Sequence, residues 1–169
     1  EVFRGALYIF FQLQEEEKMI IKKENVTDNE AAEFINQSFT DYAIKNDMAL
    51  NFEEYCFAAE ENSKIIGVIT GRAYYNEVHI GDLIIDEKYR HMNIGTKLVK
   101  TVEEAFKGKG YSKITLTTFG FQAPEFYKKL GYSLEFVRKD NDPKLCKYFY
   151  IKQIIKDISE AAILEYEKK

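Results

Sequence analysis

The stretch "LIIDEKYRHMNIGTKLV", residues 83–99, joins a predicted strand to a predicted helix through a short loop. The strand ends at Ile85, the loop passes through Arg90 and Asn93, and the helix begins near Gly95. The first N–H groups of a helix have no partner within it and lie at the positive end of the helix dipole, so this segment predicts an anion-binding site. Gly95 would let a ligand approach the backbone closely, and Asn tolerates left-handed conformations. An ordinary strand-to-helix connection would show the same pattern, so the loop needs support from the rest of the chain.

The composition restricts the classes of protein to which the chain can belong. A length of 169 residues fits one domain with a sizeable core. The formal net charge of −4 argues against a nucleic-acid partner, which requires a basic face, and favours a cationic substrate. Cys56 and Cys146 are far apart in the sequence, so we expect neither a disulfide framework nor a zinc site. A reducing, cytoplasmic location fits best.

The N-terminal residues differ from the rest of the chain. The apolar run "ALYIFFQL" is followed by "QEEEK" and is too short to span a bilayer, so we expect neither a membrane segment nor a targeting signal. Residues 1–18 are interpreted as an extension, which is either a mis-assigned, non-native start or a native arm that packs on the surface. A single domain is predicted over residues 19–155, with a helical tail over residues 156–169.

The remaining elements follow from periodicity and capping signals. Thr27 and Glu30 form a predicted capping box at the start of a helix. Three β-rich runs separated by turn residues predict an antiparallel meander. A helix follows Gly95, and a short helix begins near Pro124 and ends at Gly131. Strands are predicted at residues 19–23, 54–61, 64–75, 77–85, 112–118, 132–138 and 147–154.

Two motifs together resemble the GNAT superfamily of acyl-CoA-dependent N-acetyltransferases. In residues 83–99, Arg90, Gly95 and Thr96 match the family's pyrophosphate loop, whereas Asn93 stands where the family usually has Gly. "QAPEFYKKLGY", residues 122–132, resembles the second signature of the family, although Gly120 stands near the place of a usual Asn. The resemblance covers residues 19–154. It implies an α/β fold with a central mixed, mostly antiparallel sheet of six to seven strands, flanked by helices and splayed at the cofactor site.

The resemblance also implies a cofactor site and a reaction. Acetyl-CoA or coenzyme A would be the co-substrate, with no metal, and the acetyl group would pass directly to a primary amine. The strand before the loop would offer backbone groups to the pantetheine, and the loop would bind the pyrophosphate mostly through main-chain N–H groups. Tyr127 matches the family's tyrosine that protonates the departing thiolate, although a core aromatic residue would fit the same pattern. The cofactor residues implied are Leu83, Ile84, Ile85, Arg90, His91, Asn93, Ile94, Gly95 and Thr96.

The catalytic base and the acceptor site are less sharply defined by the sequence. His79 lies eleven residues before Arg90, the offset at which one branch of the family carries its catalytic Glu, and His titrates near neutrality. Ordered water is the alternative base. Glu77 and Asp82 are candidates for holding a cationic amine, and a regular pleat would place Asp82 on the opposite face of the strand from His79 unless a bulge intervened.

We expect the acceptor to be a small-molecule amine. The alternatives are the N-terminus or a lysine of a protein or peptide and, in another class, a non-catalytic acyl-CoA-binding regulatory module. Fold analogy does not select the substrate, because different sites occur on one scaffold. No nucleic-acid or membrane partner is expected, and a homodimer is left open.

Overall fold

The computed structural model describes residues 19–23 and 29–154. The chain divides into two compact units, Glu1–Tyr42 and Ala43–Lys169. The second unit holds the sheet. The helices are α1 Asn29–Lys45, α2 Ile94–Phe106 and α3 Pro124–Lys129. The strands are β1 Glu53–Glu61, β2 Lys64–Tyr74, β3 Glu77–Ile85, β4 Lys113–Phe119, β5 Ser133–Arg138 and β6 Lys147–Gln153, and short 3-10 turns lie at Glu87–Tyr89 and Pro143–Leu145.

The six strands form one sheet in the order β1-β2-β3-β4-β6-β5. Every neighbouring pair is antiparallel except β3 and β4, which are parallel and are joined through α2. The β1–β2 hairpin turns through Asn62 and Ser63, which both have positive φ, as a tight turn between right-twisted strands requires. Tyr75 at the β2–β3 turn also has positive φ, and the Asn51 side chain holds its N–H and its carbonyl at 2.7 Å each. The predicted mixed, mostly antiparallel α/β fold is confirmed.

The core of the second unit lies between α2 and one face of the sheet. Leu98, Val99, Val102 and Phe106 form the buried stripe of α2, as their helical spacing predicts. They belong to one apolar cluster with alternate residues of the central strands, including the fully enclosed Ile69, Val78, Ile80, Ile114 and Leu116. Burial of this stripe orients the N-terminus of α2 relative to β3.

The predicted strand at residues 19–23 is wrong. These five residues have no regular secondary structure, and Met19, Ile20 and Ile21 are at least 80% exposed. An apolar run becomes a strand only where a neighbouring strand accepts its hydrogen bonds, and no strand of the described sheet does so. The N-cap predicted at Thr27, the extension over residues 1–18 and the tail over residues 156–169 lie outside the described residues. None of the described helices is long and apolar enough to cross a membrane.

A close contact between three strands fixes the position of β3. The Tyr55 hydroxyl of β1 reaches beneath β2 at Gly71 and donates a hydrogen bond to the His79 carbonyl of β3 at 3.1 Å. A Cβ atom at Gly71 would collide with that carbonyl and with the Tyr55 ring. Burial raises the pKa of Tyr55, so this hydroxyl keeps its proton at neutral pH. The absence of a side chain at Gly71 therefore permits β1 to support β3 directly.

We expect Gly71→Ala to destabilise the protein by about 1–3 kcal/mol, because the added methyl group must displace backbone or the Tyr55 ring. Urea unfolding followed by circular dichroism would measure the change in the free energy of unfolding. Gly81→Ala is the matched control, since its Cβ would meet its nearest neighbour, the Thr70 carbonyl oxygen, at an ordinary 3.5 Å. Equal stabilities of the two variants would contradict this account of Gly71.

Candidate active site

The sheet opens between β3 and β4. These strands pair only from Glu77 to Ile80, opposite Lys113–Leu116. Beyond Ile80, β3 continues along β2 alone, and the end of β4 continues along β6 alone. The edge of β3 that faces β4 therefore has no strand partner from Gly81 to Ile85. Unpaired main-chain groups at such an edge can bond to an extended ligand.

The loop after β3 presents a run of free N–H groups. His91 and Asn93 have positive φ, and Asn93 is the left-handed N-cap residue of α2. The first helical hydrogen bond runs from Lys97 N to the Asn93 carbonyl at 3.0 Å. Among the described residues, the six N–H groups from His91 to Thr96 have no acceptor. Successive free N–H groups at a helix N-terminus form an anion site, which agrees with the pattern in the sequence.

The remaining predicted cofactor residues flank this loop and the open edge. Leu83 and Ile85 are partly buried against the core, whereas the Ile84 side chain is 66% exposed on the opposite face. Arg90 is exposed, and its Nε donates to the Ile85 carbonyl at 3.4 Å, which ties the loop to the end of β3. The Arg90 side chain thus stabilises the loop from within. The predicted cofactor residues are contiguous in space, along β3 and the N-terminus of α2.

Gly95 lies between β3 and α3. A Cβ atom at Gly95 would be 3.4 Å from Phe126 Cζ and 3.9 Å from Ile85 Cγ1. This residue therefore borders a narrow space between the end of the strand and the short helix. The presence of Gly at position 120, near the place of the family's usual Asn, has a structural explanation. A Cβ atom at Gly120 would collide with the Pro143 carbonyl oxygen. The turn that leads to α3 thus requires glycine for a close backbone approach.

Tyr127 lies on α3, on the same side of the sheet as α2. Its side chain is 8% exposed and contacts the rings of Phe126, Tyr132 and Tyr150. Burial raises the pKa of Tyr127 to about 12, so the phenol is protonated at neutral pH and is a weaker acid than a free tyrosine. Its hydroxyl makes no hydrogen bond to the described residues. The phenol is therefore available to an external acceptor.

His79 belongs to a hydrogen-bonded chain on the opposite face of the sheet. The Thr115 hydroxyl donates to Glu77 Oε1 at 2.7 Å, and His79 Nδ1 lies 2.8 Å from the same Thr115 oxygen. Because the hydroxyl has a single proton, which it gives to Glu77, its oxygen accepts from the imidazole. This assignment places the ring proton on Nδ1 and leaves Nε2 as an unprotonated acceptor.

The environment of His79 favours its neutral form. Burial lowers its pKa below the usual 6.5, and the positive charges of Arg72 and Lys147 act in the same direction. The Glu77 carboxylate opposes this shift, but burial is the larger effect. His79 is therefore a free base at neutral pH. Glu77 is occupied by Thr115 and by Lys113, whose Nζ lies 3.4 Å from Oε2, and its predicted contact with an acceptor amine stays a prediction.

A β-bulge in β3 changes which of its side chains share a face. The register between β2 and β3 shifts between Ile69 and Gly71, where two residues of β3 stand opposite the single residue Thr70. Such a bulge inserts one residue into one strand, bends the strand and reverses the alternation of the side chains that follow. The bulge coincides with the point at which β3 leaves β4.

Asp82 therefore lies on the same face as His79. The Thr70 hydroxyl is 3.4 Å from Asp82 Oδ2 and 3.3 Å from the Asp82 amide nitrogen. Thr70 shares its face of β2 with Arg72, which pairs with His79. A regular pleat would have put Asp82 and His79 on opposite faces, but the bulge named as the exception is present, so that placement does not apply. An exposed carboxylate and a neutral imidazole thus share one face beside the opening in the sheet.

Two polar residues with clear positions in this site were not predicted from the sequence. Thr115 orients His79, but only the parallel register of β3 and β4 brings them together. Gln122 Oε1 accepts from Phe119 N at 2.8 Å and from Thr118 Oγ1 at 3.1 Å, which fixes the turn before α3. A side-chain acceptor three residues after the end of a strand is a weak signal for such a turn.

The described residues contain no group of three or more His, Cys, Asp and Glu placed to hold a metal ion.

Curated relatives of this chain are acetyltransferases. It is 25% identical to the blasticidin-S acetyltransferase of Streptomyces morookaense over 99 residues, which cover 58% of this chain and 73% of the relative. It is 28% identical to an uncharacterized N-acetyltransferase of Methanocaldococcus jannaschii over 158 residues, which cover 89% of this chain and 92% of the relative.

Solved structures have the same fold. An acetyltransferase from Bacillus cereus superposes with a TM-score of 0.66 at 31% identity and covers 80% of this chain and 97% of its own. An aminoglycoside 6'-N-acetyltransferase complexed with coenzyme A superposes with a TM-score of 0.53 at 20% identity and covers 81% of this chain and 98% of its own. The model of the acetyltransferase (GNAT) family matches residues 14–132. The chain therefore belongs to the GNAT family and is an acetyltransferase.

Proposed function

We propose that this protein transfers an acetyl group from acetyl-CoA to a primary amine of a small molecule. The observation that carries the proposal is the run of six free N–H groups from His91 to Thr96, placed beside an opening in the sheet. Two proton-transfer groups, Tyr127 and His79, lie on the two sides of that opening. Blasticidin-S acetyltransferase and the coenzyme A complex with the same fold support a small-molecule acceptor and this donor.

The donor binds on the side of the sheet that carries α2. The pyrophosphate of acetyl-CoA accepts hydrogen bonds from the free N–H groups at the N-terminus of α2 and gains from the helix dipole. The pantetheine arm lies along the open edge of β3, where Leu83, Ile84 and Ile85 offer main-chain groups, and passes Gly95. Because these contacts are made by backbone groups, the loop needs glycine and left-handed residues more than particular side chains.

The acceptor amine approaches from the opposite face. Asp82 attracts the ammonium form, and His79 Nε2 removes its proton, directly or through one water. The neutral nitrogen attacks the thioester carbonyl and forms the C–N bond; as the C–S bond breaks, the nitrogen releases its second proton to water, from which Tyr127 is reprotonated after it has protonated the thiolate. Tyr127 gives its proton to the departing thiolate from the other side. Burial keeps both groups in the form that the reaction requires, with His79 neutral and Tyr127 protonated.

A cytoplasmic location is proposed with this function. Both cysteines are free, and Cys56 is exposed, as in a protein that stays in a reducing compartment. A homodimer remains a prediction for a measurement of mass in solution. The N-terminal extension over residues 1–18, the domain over residues 19–155 and the tail over residues 156–169 are likewise still predictions.

We expect Gly95→Val to weaken coenzyme A binding more than tenfold, which corresponds to about 1.4 kcal/mol. The two γ-methyl groups would fill the space between Ile85 and Phe126, past which the pantetheine arm must run. Calorimetric titration with coenzyme A would measure the effect, and thermal unfolding would verify the fold. Gly95→Ala is the control, because its Cβ makes an ordinary 3.4 Å contact with Phe126. Unchanged affinity of the Val variant would place the cofactor elsewhere.

We expect kcat/KM to fall on the acid side with a pKa below 6.5, since burial opposes protonation of His79 and the base is lost only when the imidazole is charged. His79→Gln should lower turnover by about 10²-fold or more and remove this limb. Thr115→Val keeps the imidazole but removes its orienting oxygen, so it should reduce turnover less. Profiles recorded with one acceptor amine hold the titration of that amine constant. An unaltered profile in His79→Gln would assign the base to water.

We expect Tyr127→Phe to lower turnover by about 10² to 10⁴-fold, with little change in the apparent affinity for acetyl-CoA. Tyr132→Phe is a matched control from the same aromatic cluster, because the Tyr132 hydroxyl is buried without a hydrogen-bond partner among the described residues. It should leave turnover unchanged. Release of coenzyme A thiol would be followed for both variants. Equal turnover of Tyr127→Phe and the wild type would make Tyr127 a packing residue only.

A further inference from the structure

Two cations lie side by side on the face of the sheet that carries His79. Arg138 of β5 and Lys147 of β6 are register partners. The Arg138 guanidinium carbon is 5.4 Å from the centroid of the Phe149 ring, and Lys147 Nζ is 5.8 Å from the same centroid and 5.5 Å from that of Phe119. We call these four residues, Arg138, Lys147, Phe119 and Phe149, the cationic shelf.

The cations of the cationic shelf contact no carboxylate of the described residues. Neither Arg138 nor Lys147 forms an ion pair there. In the connecting segment, Asp140 Oδ1 and Asp142 Oδ1 accept the N–H groups of Asp142 and Lys144 at 3.0 and 2.9 Å, and neither carboxylate forms an ion pair with the cationic shelf. Like charges that face each other across a strand pair repel, and the aromatic rings beneath them exclude part of the water that would screen them. An anion bound between the two cations would remove this repulsion.

The cationic shelf lies close to the reacting groups. Thr115, Thr117 and Phe119 share one face of β4, and they pair with Ile151, Phe149 and Lys147 of β6. Successive residues on one face are about 7 Å apart. Phe149, over which Lys147 extends, pairs with Thr117, and Thr117 is one such step from Thr115 in the row that holds His79. The same positive charge also lowers the pKa of His79.

We propose that the cationic shelf binds a carboxylate of the acceptor, so that the acceptor is an anionic amine of the amino-carboxylate class. This inference rests on the proposed function, because it assigns the far end of the same acceptor site. The amine end lies at Asp82 and His79, the carbon chain lies over Phe149, and the carboxylate lies between Arg138 and Lys147. The site therefore has opposite charges at its two ends.

The formal net charge of −4 favours a cationic substrate, and the local charges add detail to that expectation. Around the acceptor face, Arg72 and Lys147 both act on His79 as positive charges, and the exposed carboxylate of Asp82 is their counterpart near the amine. A polycationic amine would meet repulsion at the cationic shelf. An amino carboxylate whose two groups are separated by several carbon atoms satisfies both ends.

The test compares acceptors that differ only in charge at the far end. The probes are ω-amino carboxylates with two to five methylene groups and their carboxamides, with acetyl-CoA at saturation. We expect at least a tenfold higher kcat/KM for the best carboxylate than for its carboxamide, and a decrease in this preference with added salt.

Lys147→Met and Arg138→Met replace each cation by an apolar side chain of similar length over the rings. Each should raise KM for the carboxylate with little change in kcat. Lys144→Met removes an exposed cation of the connecting segment and is the control.

The outcomes separate this inference from the proposed function. Acetylation of carboxylates and carboxamides at equal rates, or a preference that survives the double substitution of Lys147 and Arg138, would overturn the carboxylate subsite and leave the acetyltransferase function intact. If no amine is acetylated, the carboxylate subsite is tested by calorimetric measurement of 5-aminopentanoate binding to the coenzyme A-loaded protein. Salt-dependent binding that is lost in the double variant supports the subsite, and absence of binding to the wild type overturns it.

Discussion

The separation of β3 from β4 after Ile80 is the constraint on which the rest of the site depends. Two parallel strands that stayed paired to their ends would close the sheet and leave no main-chain group free for a ligand. The bulge opposite Thr70 bends β3 at this point, and the Tyr55 hydroxyl supports the His79 carbonyl just before it. The bend opens an edge toward the cofactor loop and, through the reversed alternation, brings Asp82 to the face of His79.

A single physical cause sets the protonation of both proposed proton-transfer groups, Tyr127 and His79. Burial disfavours whichever form of a side chain is charged, so it raises the pKa of Tyr127 and lowers that of His79. Both side chains are therefore neutral over the same range of pH, one with a proton to give and the other able to take one. In the proposed mechanism the base and the acid lie on different faces of the sheet, so the proton removed from the amine need not pass directly to sulfur.

The sequence allows the architecture to be predicted where a local signal coincides with a packed element. The apolar stripe of α2, the turn residues Asn62 and Ser63 and the loop before Gly95 all have such signals, and each prediction of an element there agrees with the structure. The prediction of a strand at residues 19–23 was wrong, because an apolar run does not identify a strand with which it could pair. The shared face of His79 and Asp82, the role of Thr115 and the cations beside Phe149 depend on strand register. Register is set by pairing between segments distant in the chain, so a local pattern cannot supply it.

The left-handed residues at the start of α2 have a practical consequence. His91 and Asn93 already hold the loop in the conformation that exposes its N–H groups. No ordering of the loop is then needed before an anion binds, and the site does not distinguish a diphosphate from a smaller oxyanion by shape alone. Inorganic phosphate or sulfate at buffer concentrations would compete with the nucleotide end of the donor and raise its apparent KM. A buffer with no phosphate, sulfate or sulfonate group would avoid this competition.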